Sequence, residues 1–439
     1  MIEYILLIIL SVIICKYIHI IYKHNQRVGV LSGVLFSFLL YYCIVPLLIL
    51  LNYSKIEDKT TFITTVYESS FESYLLFFIC FLLLLCMMTD SYGRVLMKGS
   101  VYTISQVKTK KYSRILFCFT FVVGVSAFII YINAFGGMVN AIIQAESMRS
   151  FGESAIGVIP YRAALMQLPS SLVTACPLFY AIWIGDDNKW RLKNKFIFIL
   201  LLLINVPYLL INAGKTGVIL FVLSIWLTLI SYKIKHEWIL TIIMCVLGVF
   251  VINVLDLLFL SFANETSMLT ADDIKTDFSL LHQFAYPISN ALNMHEILQN
   301  NNLRFFKDFL TGFLTHVPGL NFDVSYVPTS AFYAGADWRE MGGTPNDIMT
   351  FAYLQLGPIG IAVVGVIWGY VLGFIETYLK KCSGSFSSRF IKYSLILTVF
   401  NAVMNADIAA LVVNFKLSLL ILFIYISLSP LRTKKSVSA

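Results

Sequence analysis

Five cations stand where a membrane protein ordinarily avoids them: Arg149, Arg162, Lys215, Arg304 and Arg339 fall in segments read below as extracytoplasmic, the side from which lysine and arginine are depleted. A bound anion would account for them. Guanidinium groups grip a phosphate or carboxylate with two parallel hydrogen bonds, whereas lysine supplies a point charge. Arg149 and Arg162 follow Phe135-Gly136-Gly137-Met138 and flank a polar stretch that also holds Glu146 and Glu153, so local ion pairs are the competing explanation. Lys215 sits in Asn212-Ala213-Gly214-Lys215-Thr216-Gly217 between two short apolar segments. Each of these spans only about 24 Å at 1.5 Å per residue, so the turn lies below the membrane surface, where an ammonium needs a partner or water. The glycines let backbone N–H groups converge on an oxyanion; a lysine that snorkels to the headgroups is the bland alternative. Gly-Lys-Thr is not a P-loop here, because Leu209 occupies the required first glycine.

The elements that must position these residues are membrane spans. The 439-residue chain is 59% hydrophobic and 13% charged, with a mean hydropathy of +0.81, far more apolar than a soluble core requires. Crossing a hydrocarbon layer takes about 20 apolar residues. About eleven segments qualify, near 2–22, 28–51, 73–89, 115–135, 165–185, 196–211, 217–231, 239–260, 345–379, 393–408 and 411–429. The first has no basic n-region and no small-residue cleavage site, so it is expected to be retained. The expected fold is therefore an all-α polytopic membrane protein, a single integral membrane domain over 1–439 with one large extracytoplasmic loop, 261–344, containing amphipathic helices. One set of alternate loops holds 21 lysines and arginines and the other ten, which places the N-terminus and the large loop outside and the C-terminus in the cytoplasm. The net charge of +8 reflects this bias and gives no argument for nucleic acid. All eight cysteines lie in spans or cytoplasmic loops, so no disulfide framework or thiolate metal site is expected outside.

Within the loop, Leu303 to His316 reads as a helix with Phe306, Phe309, Leu310, Phe313 and Leu314 on one face and Arg304, Asp308, Thr311 and Thr315 on the other, suited to lying flat on the bilayer. Phe278 to Leu298 is a weaker amphipathic pattern interrupted by Pro287. His282, His295 and His316 share no metal-ligand spacing, and no metal is expected. The loop closes on Trp338-Arg339-Glu340-Met341-Gly342-Gly343-Thr344-Pro345-Asn346-Asp347, where Thr344 suits an N-cap, proline the first helical position and Asp347 the third. The long segment that follows carries Gly357-Pro358 about a third of the way in and is expected to bend there. Its start, beside Arg339, is an anion-friendly rim.

Taken together these pieces resemble the bacterial oligosaccharide repeat-unit polymerases, the O-antigen polymerase family. The resemblance covers the layout of many spans, Phe-Gly-Gly with a following arginine, the tight turn between short spans and the late outward loop. It is most specific at Gly342-Gly343-Thr344-Pro345-Asn346-Asp347 followed by Gly357-Pro358-Ile359-Gly360. Lys215 stands where many members, and the related O-antigen ligases, carry a basic residue, often arginine. The ligases also carry a histidine before the last long span, where this chain has Asn346 and Asp347; that departure favours polymerase over ligase.

The resemblance implies a GT-C-like arrangement in the bacterial inner membrane and a glycosyltransferase reaction on its outer face. Repeat units carried on undecaprenyl pyrophosphate would be joined into O-antigen, part of lipopolysaccharide, or a related surface polysaccharide, without cofactor or metal. A chain-length regulator protein is a further implied partner beside the glycan carriers and membrane lipid. Such a reaction needs cations on the departing pyrophosphate, for which Arg149, Arg162, Lys215, Arg304 and Arg339 qualify. It also needs a base for the attacking hydroxyl, drawn from Asp337, Glu340, Asp347 and His316, with Glu146 and Glu153 beside them. The competing class is a lipid-linked oligosaccharide flippase or ion-coupled transporter. That class wants polar residues in mid-span, and the candidates Asn205, Asp256, Asn401, Asn405 and Asp407 mostly sit near span ends.

Overall fold

The computed structural model describes residues 2–25, 29–56, 59–97, 106–142, 161–184, 189–212, 214–230, 281–314, 326–334, 344–379 and 386–408. Among them there is no strand. The chain opens with α1 (Ile2–Asn25), then α2 (Val30–Leu39), which runs through a π-helical turn at Leu40–Ile44 into α3 (Val45–Asn52). After the short α4 (Thr61–Glu68) come the long α5 (Phe71–Met97) and α6 (Gln106–Ala134). Next are α7 (Tyr161–Ser170), a 3-10 stretch at Ser171–Ala175, α8 (Cys176–Ile184), α9 (Leu192–Asn212) and α10 (Gly214–Ile230). The last third holds α11 (Leu281–Gln299), α12 (Asp308–Leu314), α13 (Tyr326–Ala334), α14 (Ile348–Leu356), α15 (Pro358–Leu379) and α16 (Phe386–Ala402).

Among the described residues, six stretches are long and apolar enough to cross a membrane: Ile2–Ile21, Val30–Lys55, Phe71–Met97, Ser113–Ala134, Leu192–Ile211 and Pro358–Thr377. The protein is a helical, multi-pass membrane protein. The expected spans at 239–260 and 411–429 lie outside the described residues. The segment at 165–185 is not one rod but α7, a 3-10 stretch and α8, with Pro169 inside the first helix; a proline removes one backbone donor and crowds the preceding turn.

The strongest packing joins α15 to α5. Gly365, Gly369 and Gly373 form a stripe at steps of four along α15. A Cβ would meet the Leu84 carbonyl oxygen at 3.0 Å from Gly365, the Met88 carbonyl oxygen at 2.3 Å from Gly369, and Val95 Cβ at 2.8 Å from Gly373. The backbones thus touch directly, as small residues permit where lipid offers no hydrophobic force to drive helices together. The register rises on both helices, so they run in the same direction. Glu376, in the last turn of α15, is buried, and its carboxylate accepts the Val30 amide at 2.7 Å. A negative charge there satisfies the otherwise open, positively polarised start of α2.

Two expectations about the last third change. The pattern read over Phe278–Leu298 as weakly amphipathic and interrupted by Pro287 is an unbroken helix at Leu281–Gln299, and its Ala285, Ile288, Ala291, Leu292 and Met294 join the main core with residues of α1, α2 and α5. The long apolar segment is two helices rather than one bent one. Gly357, at φ +61°, ends α14 in a conformation that side chains resist. A Cβ on Gly360 would lie 2.1 Å from the Ala352 carbonyl oxygen, whereas residues eight apart on one straight helix are about 12 Å apart. The chain therefore folds back at Gly357-Pro358.

Gly369→Ala is expected to separate α5 from α15 and lower stability by about 1–3 kcal/mol, the usual cost of overpacking. Gly93→Ala, on α5 where an added Cβ meets nothing within 4 Å, is expected to be neutral or slightly stabilising. Thermal unfolding of the two detergent-purified variants checks the contrast.

Candidate functional site

A polar centre forms where α14 begins. Asp347, 0% exposed, is the N-cap of that helix. Its Oδ2 accepts the Met349 amide at 2.9 Å, the Thr350 amide at 3.4 Å and the Tyr42 hydroxyl at 2.5 Å. The expectation that Thr344 caps the helix with Pro345 at its first position is corrected: Thr344 instead donates its amide to Ser330 Oγ at 2.8 Å, and the helix starts three residues later. Asparagine and aspartate rank at or above threonine as caps, and here the aspartate has the Tyr42 donor as well.

The residues around Asp347 come from distant parts of the chain. Asn346 accepts the Thr329 hydroxyl of α13 on its side chain and the Ala406 amide at 2.8 Å on its carbonyl. The Ile348 amide donates to the Val403 carbonyl at 2.9 Å. Two interrupted helices, α14 at its start and α16 at its end, are thus tied by their own backbones, which saves groups that neither lipid nor a helix could satisfy. From α11, Asn290 donates to the Pro345 carbonyl at 3.0 Å and Tyr286 to the Met404 carbonyl at 3.3 Å. Ser289 and Asn293 meet the Tyr333 hydroxyl of α13 at 2.9 and 3.3 Å. Burial lifts the phenols of Tyr286 and Tyr333 well above the ordinary tyrosine range, so they remain neutral. Three buried oxygens in this centre have no hydrogen-bond partner: Asp347 Oδ1, Asn290 Oδ1 and Thr350 Oγ1.

Below the C-terminal end of α14 lies a second polar cluster. Arg304, 4% exposed, donates Nε to both oxygens of Asp308 at 2.9 and 2.7 Å and Nη2 to Oδ1 at 2.7 Å. Gln355 adds a 2.8 Å bond to Asp308 Oδ2 and accepts the Phe306 amide at 2.9 Å. The amides of Arg304 and Phe305 bond the Leu354 and Gln355 carbonyls, groups a helix end otherwise leaves open. Phe305 and Phe306 both adopt positive φ, each costing on the order of 1–3 kcal/mol, and the clamp on Gln355 holds them there. The single helix expected over Leu303–His316 is corrected: only Asp308–Leu314 is helical, Phe305 and Phe306 at positive φ interrupt the pattern before it, and residues 315 and 316 lie outside the described residues. Arg304 and Asp308 turn into the protein, while Phe305 and Leu310 are 68% and 65% exposed.

The other expected site residues divide by location. Arg162 is exposed at the start of α7, and its neighbour Ala163 packs in one cluster with Phe128, Tyr131, Leu209 and Val218, against Phe135 and Met138. That cluster joins the Phe135-Gly136-Gly137 end of α6 to the start of α10. Lys215 is the second residue of α10; its side chain lies outside the description. His295 bonds Tyr353 and Gln299 through its two ring nitrogens. Arg149, His316, Asp337, Arg339 and Glu340, with Glu146 and Glu153, lie outside the described residues. Tyr42, Tyr286 and Asn290 escaped the sequence reading. Only the polar positions within apolar runs, Tyr41-Tyr42 and Ser289-Asn290, hinted at them.

Comparison of the chain with protein-family models, curated proteins and solved structures finds no match.

Arg304→Ala, which leaves Asp308 buried without its partner, is expected to cost about 3–5 kcal/mol of stability, and Arg304→Met with Asp308→Leu to recover most of it. Unfolding midpoints of the purified variants check this. An Arg304 that chiefly held substrate would instead lose activity at unchanged stability.

Proposed function

We propose that this protein is a polymerase of lipid-linked oligosaccharides, a glycosyltransferase that joins repeat units carried on undecaprenyl pyrophosphate at the outer face of a bacterial inner membrane. The observation that carries the reading is the buried centre at the end of the Gly342-Gly343-Thr344-Pro345-Asn346-Asp347 motif. It sets the Tyr42 phenol, from the turn between α2 and α3, on Asp347 itself and gathers further phenols, amides and hydroxyls from α11 and α13 nearby. Such groups match the donors and acceptors of a glycan better than a multiply charged anion. The cations fall elsewhere: Arg162 is exposed on α7, and Lys215 occupies the first turn of α10, where the helix end favours an anion. In this reading Arg149, Arg162, Lys215 and Arg339 hold the departing pyrophosphate. Arg304, already bidentate to Asp308, serves the frame. The base for the acceptor hydroxyl comes from Asp337, Glu340, Asp347 or His316.

A specific observation also favours the alternative, a lipid-linked oligosaccharide flippase or ion-coupled carrier. A helix that starts inside the bundle at Ile348 and one that ends there at Ala402, with paired backbone between them, are the kind of construction that transporters place at their binding sites. An O-antigen ligase is the third reading; Asn346 and Asp347 at the position of the ligase histidine weigh against it.

Deletion of the gene separates the first two. A missing polymerase leaves single repeat units at the cell surface, whereas a missing flippase leaves them on the cytoplasmic side. Complementation then tests the cations. Arg162→Ala is expected to abolish long polymer while sparing single capped units and protein level. Lys215→Gln is expected to slow polymer formation by at least about tenfold, equivalent to roughly 1.4 kcal/mol, and Lys215→Arg to retain it. Wild-type ladders from both Arg162→Ala and Lys215→Gln would remove the pyrophosphate from this face.

A further inference from the structure

The Asp347 centre has a charge that the described residues do not balance. Asp347 is in neither the Arg94–Asp90 nor the Arg304–Asp308 ion pair. An unpaired carboxylate, fully buried, costs several kcal/mol unless something neutralises it. Its three donors, from Tyr42, Met349 and Thr350, all converge on Oδ2, which fixes the carboxylate and leaves Oδ1 facing the other way. Two more oxygens at the same locus also lack a donor. Asn290 Oδ1 belongs to the side chain whose Nδ2 bonds the carbonyl of Pro345, two residues from Asp347. Thr350 Oγ1 stands on the first turn of the helix that Asp347 caps, beside the same carboxylate, and has no hydrogen-bond partner of ordinary geometry.

We infer that Asp347 Oδ1, Asn290 Oδ1 and Thr350 Oγ1 form a binding site for one monovalent cation, Na+ or a proton, at the junction of the interrupted helices α14 and α16. Oxygen ligands suit a hard cation. One formal negative charge suits a singly charged ion, and among the described residues no group of three or more histidine, cysteine, aspartate or glutamate side chains stands ready for a divalent metal. The titratable groups facing Asp347 are Tyr42 beside α2, Tyr286 on α11 and Tyr333 on α13. Asp407 follows Ala406, whose amide bonds Asn346. A phenol is neutral or anionic and never cationic, so none supplies the missing positive charge. The cation would tie α14 to α11 in the way a salt bridge would, and its occupancy would set how firmly α14 and α16 hold together. This inference is independent of whether the protein polymerises or transports. If it holds within the polymerase reading, Asp347 is committed to the ion and the base is Asp337, Glu340 or His316.

The test is the unfolding temperature of the purified full-length protein, titrated with NaCl against choline chloride at constant ionic strength, and separately with pH in sodium-free buffer. A sodium site gives a saturable rise in unfolding temperature with Na+, as binding to the folded state alone requires. A proton site gives stability that rises as pH falls and ignores Na+. In either case Asp347→Asn removes the response, and Thr350→Val, which keeps the carboxylate, shifts the Na+ midpoint by about tenfold or more. Should Asp347→Asn fail to fold, Thr350→Val carries the sodium arm, and Asn290→Leu carries the proton arm by altering the pH midpoint. Wild-type stability indifferent to both Na+ and pH, or a response that survives these substitutions, overturns the inference.

Discussion

A buried backbone group in a membrane protein has no water to fall back on, and the last third of this structure is arranged around that constraint. Helix α14 begins and α16 ends inside the bundle. The amides and carbonyls released at those ends are met by one another, through Ile348 with Val403 and Asn346 with Ala406, and by the Asp347 carboxylate. Without that carboxylate the first amides of α14 would be unsatisfied. With it, the protein carries a buried negative charge. The tyrosines and asparagines of α11 and α13 are placed around the charge, and the Arg304–Asp308–Gln355 cluster closes the opposite end of the same nine-residue helix. A short interrupted helix is thus pinned at both ends by charged groups, a costly construction whose retention points to use rather than to stability alone.

Much of the membrane architecture was legible in the sequence because lipid imposes so simple a rule. Segments such as 2–22, 73–89 and 115–135 are apolar throughout, and they reappear as α1, α5 and α6. The Gly357-Pro358 break was also legible, though as a bend. Its sharpness depends on Ala352 meeting Gly360, a contact that no local pattern encodes. Phe278–Leu298 reads as a weak amphipathic pattern interrupted by Pro287, yet the helix runs through that proline over Leu281–Gln299 and buries Ser289 and Asn290. Those residues are buried because Tyr333 and the Pro345 carbonyl meet them, partners 40 or more positions away.

The candidate site was legible in part for the same reason. Asp347 could be singled out by its motif, but its hydrogen bond to Tyr42 spans 305 positions, and nothing in either segment announces the other. Arg304 and Asp308 stand four apart, a spacing that serves equally well for an exposed pair and a buried one. Only the Gln355 side chain and the open carbonyls of α14 decide between them. The glycine stripe of α15 was the clearest overlooked signal, since three glycines at steps of four in an apolar helix mark a close approach.

The most direct test of the polymerase reading uses the purified protein in proteoliposomes, supplied with synthetic undecaprenyl-pyrophosphate-linked repeat units and no nucleotide sugar. The account predicts a ladder of glycans of increasing length, with one undecaprenyl pyrophosphate released for each bond formed. Transfer of intact single units across the bilayer, with no ladder and no released lipid pyrophosphate, would contradict it.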